Sequence, residues 1–178
     1  MESRYLILDR DGVINFDSDD YIKSPDEWEP IPGSLEAIAQ AQHAGWSIAV
    51  ATNQSGIGRG LFNERTLDAI HEKLHHELAK LGAHIELIAW CPHLPEAGCD
   101  CRKPKPGLYR QIAERWGIDL EGVPVIGDSL RDLQAAQAVK ARPLLVRTGN
   151  GRHTERLPEA AQVPVFDDLQ QAIAALLE

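Results

Sequence analysis

Short apolar segments that alternate with amphipathic helical patterns are the feature that most restricts how this chain folds. Five segments are nearly continuous in hydrophobic residues, which is typical of parallel strands covered on both faces. They span residues 5–9, 47–53, 85–91, 123–128 and 143–149. Helical patterns lie between or after them, at residues 34–45, 63–82, 106–117 and 129–140. The alternation predicts right-handed βαβ units and an α/β fold with a doubly wound, mainly parallel sheet.

Local signals set the expected helix ends. Ser34 is expected to cap the first helix, which ends at Gly45, while the third runs from Pro106 to Gly117. The second helix is expected to bury a stripe at helical spacing. That stripe comprises Leu67, Ile70, Leu74, Leu78 and Leu81. No repeat or linker interrupts the pattern, so we expect one domain over residues 1–178.

Composition restricts the class of protein. The chain has 178 residues, 43% of them hydrophobic and 25% charged, which is typical of a globular protein with a real core. No apolar stretch reaches membrane-spanning length, and the charged start is unlike a secretion signal. The net charge of −9 disfavours nucleic-acid and anionic-membrane partners. Three cysteines, two of them one residue apart, argue against disulfides. We expect a monomer in the reducing cytoplasm.

Acidic residues cluster where predicted strands end. Asp9 and Asp11 follow the first strand, and Asp128 follows the fourth. In doubly wound sheets ligands bind at these carboxyl ends. Close carboxylates repel one another, so a hard cation such as Mg²⁺ is expected among them. One carboxylate could then attack a phosphorus atom, while Asp11 protonates the leaving oxygen and later activates water. The simpler alternative is turn chemistry, in which Asp and Gly are common.

These residues resemble the motifs of the haloacid dehalogenase superfamily of aspartate-nucleophile phosphatases, in the right order along nearly the whole chain. The resemblance implies that Asp9 is the nucleophile and Asp11 the acid/base. It implies that Thr52 holds the transferring phosphoryl group and that Lys103 offsets its charge. Asp128 would bind the metal with the Asp9 side chain and the Asp11 backbone carbonyl, and Asp132 is the second acid of the fourth motif.

All three cysteines lie in the string "CPHLPEAGCDCRKPKPG", residues 91–107. Cys91-x-His93 followed by Cys99-x-Cys101 offers three thiolates and one imidazole, a complete tetrahedral set for a structural Zn²⁺. Such a metal would stiffen a loop that has no hydrophobic run of its own. It would also fix the cations that follow directly. The alternative is three reduced cysteines with an incidental histidine.

The cysteine string, with "TNQSGIGRG", "GDSLRDLQAA" and "VRTGNG", resembles the branch of the superfamily that acts on heptose bisphosphates. The resemblance implies hydrolysis of the 7-phosphate of a seven-carbon sugar 1,7-bisphosphate and favours the β anomer. It places this reaction on the route to ADP-heptose and bacterial lipopolysaccharide. Histidinol-phosphate phosphatases share the zinc loop and are the alternative. A phospho-acceptor signalling domain is a remote alternative, which the acid/base Asp11 disfavours.

The same resemblance implies a set of substrate contacts. They are Asp17, Tyr21, Thr52, Asn53, Gln54, Ser55, Arg59, Arg102 and Lys103. The spacer before Tyr21 is one residue longer than in the resembled pattern, so Asp17, Ser18 and Asp19 are alternative sugar contacts. Residues 12–32 are too few for a cap domain, which predicts an open site without a closing lid.

One motif points elsewhere. "HEKLH", residues 71–75, matches the H-E-x-x-H pattern of zinc proteases, with Glu72 as the base. We expect His71 and His75 to lie beside the apolar stripe on the polar side of a surface helix, without a third ligand. Replacing both is therefore expected to leave phosphatase activity near normal.

Overall fold

A computed structural model describes residues 4–178 of the chain. Six parallel strands form one sheet in the order β3-β2-β1-β4-β5-β6. The strands are β1 (Arg4–Leu8), β2 (Trp46–Asn53), β3 (Leu87–Cys91), β4 (Pro124–Gly127), β5 (Arg142–Val146) and β6 (Val165–Phe166). This order is that of a doubly wound sheet, in which the chain reverses its direction of growth between β1 and β4. The predicted fold class is confirmed.

Within the described residues, six α-helices connect the strands or follow them. They are α1 (Ser34–His43), α2 (Glu64–Ala79), α3 (Gly107–Trp116), α4 (Leu130–Ala138), α5 (Gly151–Thr154) and α6 (Leu169–Leu177). Alternate residues of each strand point to opposite faces of the sheet, so both faces are packed. Leu6 and Leu8 pack with α1, α2 and α6, whereas Ile7 packs with α3 and α4. The near-continuous apolar strands follow from this arrangement.

Two local predictions about helices were wrong. Gly33, with φ of 86°, precedes α1, while the Ser34 hydroxyl donates to the carbonyl oxygen of Ile14 at 2.6 Å. Ser34 therefore secures the loop after β1 instead of capping the helix. The helix α2 ends at Ala79, so Leu81 lies beyond it and is exposed. The two-residue strand β6 and the helices α5 and α6 were not predicted from the sequence.

The segment between β1 and α1 has only loop structure and a short 3-10 helix, Pro25–Glu27. Lys73 of α2 donates from Nζ to the carbonyl oxygens of Pro25 at 2.7 Å and Trp28 at 2.9 Å, and the Trp28 side chain is buried. These contacts fasten the loop to the domain without enlarging it into a cap. Among the described residues, no helix combines the length and the hydrophobicity required to cross a membrane.

Candidate active site

The carboxylates at the ends of β1 and β4 meet where the strand order reverses. β1 and β4 are hydrogen-bonded neighbours, and the backbone N–H of Asp9 donates to the carbonyl oxygen of Ile126 at 3.0 Å. This pairing brings Asp9 and Asp128 to one edge of the sheet. Carboxylate oxygens of Asp9, Asp128 and Asp132 all lie within 4.8 Å of one another. Both strand ends are therefore close enough to share a cation.

Asp132 is held by protein donors on both oxygens. Its Oδ2 accepts from the backbone N–H groups of Asp128 and Ser129 at 3.1 Å each and from the Ser129 hydroxyl at 3.0 Å. Its Oδ1 lies 2.7 Å from Nζ of Lys103. A carboxylate so fully engaged has little capacity left for a metal. Asp132 instead positions Lys103 and the start of α4.

Asp9 and Asp128 each keep one oxygen free of protein donors within residues 4–178. Asp9 Oδ1 accepts from the Arg10 backbone N–H at 2.8 Å and lies 3.0 Å from Lys103 Nζ. Asp128 Oδ2 accepts from the Asn150 backbone N–H at 2.8 Å. The other oxygen of each carboxylate has no hydrogen-bond donor among these residues. Those two oxygens are available to a metal or to a substrate.

The electrostatics of the pair call for a cation. Burial, and next the carboxylate of Asp132, raise the pKa of Asp9 to about 7. Burial, and next the carboxylate of Asp9, raise the pKa of Asp128 to about 9. Both shifts mean that ionising the two acids together is costly without a positive charge between them. Free carboxylate oxygens from two strands fit a hard divalent cation such as Mg²⁺.

Lys103 supplies a fixed positive charge beside Asp9. The side chain is buried, and Nζ also donates to the Ala51 carbonyl oxygen at 2.8 Å. Burial alone would lower its pKa, but Asp132 and Asp9 outweigh that effect and raise it. Lys103 therefore remains an ammonium group. Asn53 holds its backbone, because the Asn53 side chain accepts from Lys103 N at 3.0 Å and donates to Lys103 O at 3.1 Å.

Asp11 and Thr52 are joined through Gln54. The Gln54 side-chain amide donates to Asp11 Oδ2 at 3.2 Å and to Thr52 Oγ1 at 2.9 Å. Thr52 is 1% exposed, so its hydroxyl is held at the end of β2. Since Oγ1 already accepts from Gln54, its own proton is free to be donated toward the cavity. The groups that resemble the first two motifs therefore share one edge of the site.

A cavity of about 380 Å³ opens over these residues. Every expected substrate contact lines it, including those whose role rested on resemblance alone. They are Asp17, Tyr21, Thr52, Asn53, Gln54, Ser55, Arg59, Arg102 and Lys103. Ser18 and Asp19 line it as well, so all three alternative residues of this loop face the same cavity. The guanidinium carbon of Arg59 lies 5.6 Å from the centre of the Tyr21 ring, a cation–π contact.

Sequence reasoning missed several lining residues, among them Arg131 and Asn150. Arg131 in the first turn of α4 faces the cavity, as does Asn150 after β5. Burial, and then the positive charge of Arg131, lower the pKa of Arg102, which shows that the two guanidinium groups repel. The charge of Arg131 within "GDSLRD" was a usable signal. Asn150 lies in the "VRTGNG" string, but its contact with Asp128 depends on the approach of a distant loop and could not be predicted from local sequence.

Glycine is required where that loop approaches. Gly12 has φ of 84°, and a Cβ added there would lie 2.2 Å from Asp128 Oδ2. Gly149, with φ of 56°, would place a Cβ equally close to the same oxygen. The hydroxyl of Thr148 donates to the Gly12 carbonyl oxygen at 2.6 Å and closes the contact. Two backbones thereby pack around one carboxylate.

The cysteine string folds into a compact cluster. Nδ1 of His93 lies 3.4 Å from Cys91 Sγ and 3.3 Å from Cys101 Sγ. The Cys91 sulfur lies 3.7 Å from that of Cys99 and 2.9 Å from that of Cys101, and all three cysteines are free. A tetrahedral zinc keeps its ligand atoms roughly 3–4 Å apart. Three sulfurs and one imidazole at this spacing fit Zn²⁺, as expected.

The H-E-x-x-H segment does not lie as expected. His75 is exposed, but His71 is 7% exposed and its Nε2 lies 3.1 Å from Arg10 Nη1. The prediction that both histidines lie on the polar side of the helix was therefore wrong for His71, and the expectation that both can be replaced without loss of activity now holds for His75 alone. The two candidate metal clusters among residues 4–178 do not include this segment. A protease site remains excluded by geometry, because His71 is already engaged by an arginine.

A parallel sheet with an aspartate pair, a buried lysine and a threonine at its carboxyl edge is the arrangement expected of an aspartate-nucleophile phosphatase. The HAD-hydrolase-like family model matches residues 100–172, and the model of the Polynucleotide kinase 3 phosphatase family matches residues 7–130. The chain belongs to the haloacid dehalogenase superfamily.

Similar proteins narrow the assignment from the superfamily to one family within it. A D-glycero-beta-D-manno-heptose-1,7-bisphosphate 7-phosphatase of Pseudomonas aeruginosa is 54% identical over 178 residues, 100% of both chains. The Neisseria meningitidis enzyme of the same name is 48% identical over 93% of this chain and 90% of its own. Within the superfamily, the chain belongs to the family of these 7-phosphatases.

Solved structures agree with the assignment. The D,D-heptose 1,7-bisphosphate phosphatase of Bordetella bronchiseptica, complexed with magnesium and phosphate, has a TM-score of 0.93 at 54% identity and 98% coverage of both chains. The enzyme of the same kind from Burkholderia thailandensis has a TM-score of 0.77 at 45% identity and 99% coverage of both chains. The recognition made from the sequence is confirmed.

Proposed function

We propose that this chain hydrolyses the 7-phosphate of D-glycero-β-D-manno-heptose 1,7-bisphosphate through a phosphoaspartyl intermediate, in the formation of ADP-heptose for lipopolysaccharide. The observation that carries this proposal is the arrangement of Asp9. One of its oxygens lies 3.0 Å from Lys103 Nζ, the other is free of donors among the described residues, and Asp9 lines the cavity. A carboxylate held this way is oriented for attack on phosphorus.

The first half-reaction transfers the phosphoryl group to Asp9. A carboxylate oxygen of Asp9 forms a bond to phosphorus while the bond from phosphorus to the sugar oxygen breaks. Asp11 gives its proton to that leaving oxygen. Lys103 and the Thr52 hydroxyl contact the oxygens of the transferring group and offset their charge. Mg²⁺ held by Asp9 and Asp128 would supply charge neutralisation between the two anions.

The second half-reaction returns Asp9 to its starting state. Asp11, now a carboxylate, takes a proton from a water molecule whose oxygen attacks phosphorus. The bond between phosphorus and the Asp9 oxygen breaks, and inorganic phosphate leaves. Gln54 supports this exchange because it donates to Asp11 Oδ2 and keeps that oxygen at the cavity wall. Asp11 thus acts once as an acid and once as a base.

A basic rim supports the choice of a bisphosphate. Arg59, Arg102 and Arg131 line the cavity, and among the described residues none of the three forms an ion pair with a carboxylate. Unpaired guanidinium groups at the mouth of a site favour a second phosphate on the far end of the substrate. Histidinol phosphate, the alternative substrate, has a cationic far end and would be repelled.

Zinc is the second metal of the proposal. Cys91, His93, Cys99 and Cys101 would hold a structural Zn²⁺, which is supported by their clustered donor atoms. Arg102 follows Cys101 directly and donates from Nη1 to the His93 carbonyl oxygen at 3.4 Å. Elemental analysis of purified protein is expected to give about one zinc per chain. A Cys101→Ser variant that retained full zinc and thermal stability would contradict this role.

The remaining proposals concern the whole chain. Residues 1–178 form a single phosphatase domain that works as a monomer in the cytoplasm, with a small phosphorylated sugar as its partner and neither nucleic acid nor membrane. The net charge of −9 and the reduced cysteines support this assignment. Light scattering of purified protein tests the monomer, and a stable dimer at micromolar concentration would contradict it.

A panel of phosphorylated metabolites tests the activity. Phosphate release in Mg²⁺ is measured with both heptose 1,7-bisphosphate anomers and histidinol phosphate, and phosphorus NMR identifies the ester that is lost. The β anomer is expected to show the highest kcat/KM, with loss at carbon 7. Higher kcat/KM for histidinol phosphate would replace the proposed substrate. A long-lived phosphorylated form would favour the signalling alternative.

Asp9→Asn is the matched variant for the mechanism. It keeps the shape of the side chain, but an amide is a poor nucleophile. Turnover is expected to be abolished while the substrate still binds. Near-normal turnover would remove Asp9 from its role.

A further inference from the structure

His71 lies behind the candidate active site on the inner side of α2. Its Nε2 lies 3.1 Å from Nη1 of Arg10, and both residues are buried. A guanidinium group can only donate, so Nε2 must accept and the ring proton must lie on Nδ1. Burial, and then the charge of Arg10, lower the pKa of His71 to about 3. The imidazole is therefore a neutral hydrogen-bond acceptor at physiological pH.

The opposite edge of the Arg10 guanidinium faces Asp11. Nε donates to Asp11 Oδ1 at 2.8 Å, and Nη2 lies 2.7 Å from the same oxygen as an ion-pair contact. The side-chain amide of Asn15 donates to Oδ1 as well, at 3.0 Å. Asp11 Oδ2 accepts only from Gln54 among the described residues. Oδ1 is thus the anchored oxygen, which leaves Oδ2 as the oxygen for proton transfer.

We propose that His71 is a positioning residue for the acid/base Asp11, acting through Arg10. This inference rests on the proposed function, since it assigns a role within the same reaction. The Arg10 side chain is 0% exposed, so bulk water does not reach Nη1 while a side chain of similar size fills position 71. A buried N–H without an acceptor is costly, and the guanidinium would tilt to find one. That tilt would move Asp11 Oδ1 and misdirect Oδ2.

A neutral acceptor suits this position. A carboxylate in place of His71 would compete with Asp11 for the Arg10 charge. An aliphatic side chain would leave Nη1 unsatisfied. The imidazole accepts one N–H of Nη1 without adding a negative charge that would compete with Asp11. The two histidines of the H-E-x-x-H pattern therefore differ in role. His71 is buried and accepts from Arg10, whereas His75 lies on the solvent side of the same helix.

Dependence on the leaving group tests this role. Because kcat/KM covers phosphoryl transfer to Asp9, a loss of acid assistance lowers it most for poor leaving groups. p-Nitrophenolate departs with little help from a proton donor, whereas phenolate and sugar alkoxides need it. We expect His71→Leu to lower kcat/KM for phenyl phosphate and the heptose bisphosphate roughly tenfold to a hundredfold. The loss for p-nitrophenyl phosphate is expected to stay within about threefold.

His71→Gln and His75→Leu are the matched variants. The first keeps a neutral acceptor for Arg10 and is expected to retain wild-type leaving-group dependence. The second introduces the same apolar side chain one helical turn away and is expected to be silent. His71→Met serves if His71→Leu does not fold. An equal loss for all three esters, no loss, or a selective loss in His71→Gln would each overturn the proposal.

The test of His71 can be distinguished from the test of the proposed function. The comparison of phenyl phosphate with p-nitrophenyl phosphate does not depend on the sugar. If the wild-type protein hydrolyses both aryl esters but not the heptose bisphosphate, the proposed substrate falls and the role of His71 is still decided by the aryl pair. If the heptose bisphosphate is hydrolysed and all variants show the same leaving-group dependence, only the role of His71 falls.

Discussion

Lys103 and Asp132 form a buried ion pair, with 2.7 Å between Nζ and Oδ1. Lys103 follows the cysteine cluster and Asp132 lies in the first turn of α4, so the pair joins two separate segments at the edge of the sheet. The same ammonium group lies 3.0 Å from Asp9. The pair therefore connects the stability of the domain to the orientation of the nucleophile.

Asp132→Ala is expected to lower both stability and turnover. The substitution removes the nearer of the two carboxylates that neutralise the buried Lys103 and leaves Asp9 as its single ion-pair partner among the described residues, which is expected to cost about 3 kcal/mol in the free energy of unfolding. The backbone N–H groups of Asp128 and Ser129 lose their acceptor at the same time. Urea denaturation measures the first effect. Asp68→Ala, an exposed aspartate on α2, is the control and should change stability by less than about 0.5 kcal/mol.

Removal of Mg²⁺ is expected to make stability depend on pH with a definite sign. Folded-state pKa values of about 7 for Asp9 and about 9 for Asp128 lie above the ordinary value of 3.8. The folded state then binds more protons than the unfolded state, so stability falls as pH rises toward 9. After dialysis into magnesium-free buffer without a chelator, which leaves a bound zinc in place, Tm is expected to be lower at pH 9 than at pH 6.

Added Mg²⁺ should largely abolish that difference, because the ion stabilises both carboxylates in their charged form. Asp128→Asn is the control, since it removes one of the two shifted groups and should flatten the magnesium-free profile. A wild-type Tm in magnesium-free buffer that rises from pH 6 to pH 9 would contradict the electrostatic picture of the site.

Gly12→Ala is expected to disrupt the metal site. A Cβ at position 12 would lie 2.2 Å from Asp128 Oδ2, so the carboxylate has to move. Gly45→Ala is a matched control, because Gly45 also has a positive φ, 92°, but has nothing within 4 Å of an added Cβ. The control is expected to lose only about 1 kcal/mol from backbone strain. Calorimetric titration with Mg²⁺ should show weakened binding in Gly12→Ala alone, and equal affinity in the two variants would refute the steric argument.

Much of this site follows from the sequence, because parallel strands bring their carboxyl ends to one edge. The apolar runs that end at Asp9, Asn53 and Asp128 were sufficient to place these residues together. Local spacing was sufficient for the cysteine cluster, since its four donors lie within 11 residues of chain, 91–101. Predictions of this kind succeed when strand order, or a short spacing along the chain, determines which residues become neighbours in space.

His71 shows where such reasoning fails. Helical periodicity placed it beside the apolar stripe, which is where a polar residue usually meets solvent. The apolar stripe does not reveal that a second buried polar side chain, Arg10, packs against the face of α2 that carries His71. Arg10 itself gave no signal of burial, because a charged residue between two aspartates suits an exposed turn. Which buried polar groups pair with each other is decided by tertiary packing. Neither hydrophobic periodicity nor secondary-structure propensity contains that information.

Arg131 provides the sharpest test of the basic rim. Arg131→Met keeps the length of the side chain but removes its charge, so the far-end phosphate loses a charged partner. We expect KM for the heptose 1,7-bisphosphate to rise roughly tenfold while kcat changes less than about twofold. KM for heptose 7-phosphate, which lacks the far-end phosphate, should not change. Arg110→Met, at an exposed arginine of α3 outside the cavity, is the matched control. An equal rise in KM for both sugars would mean that Arg131 contacts the transferred phosphate and not the retained one.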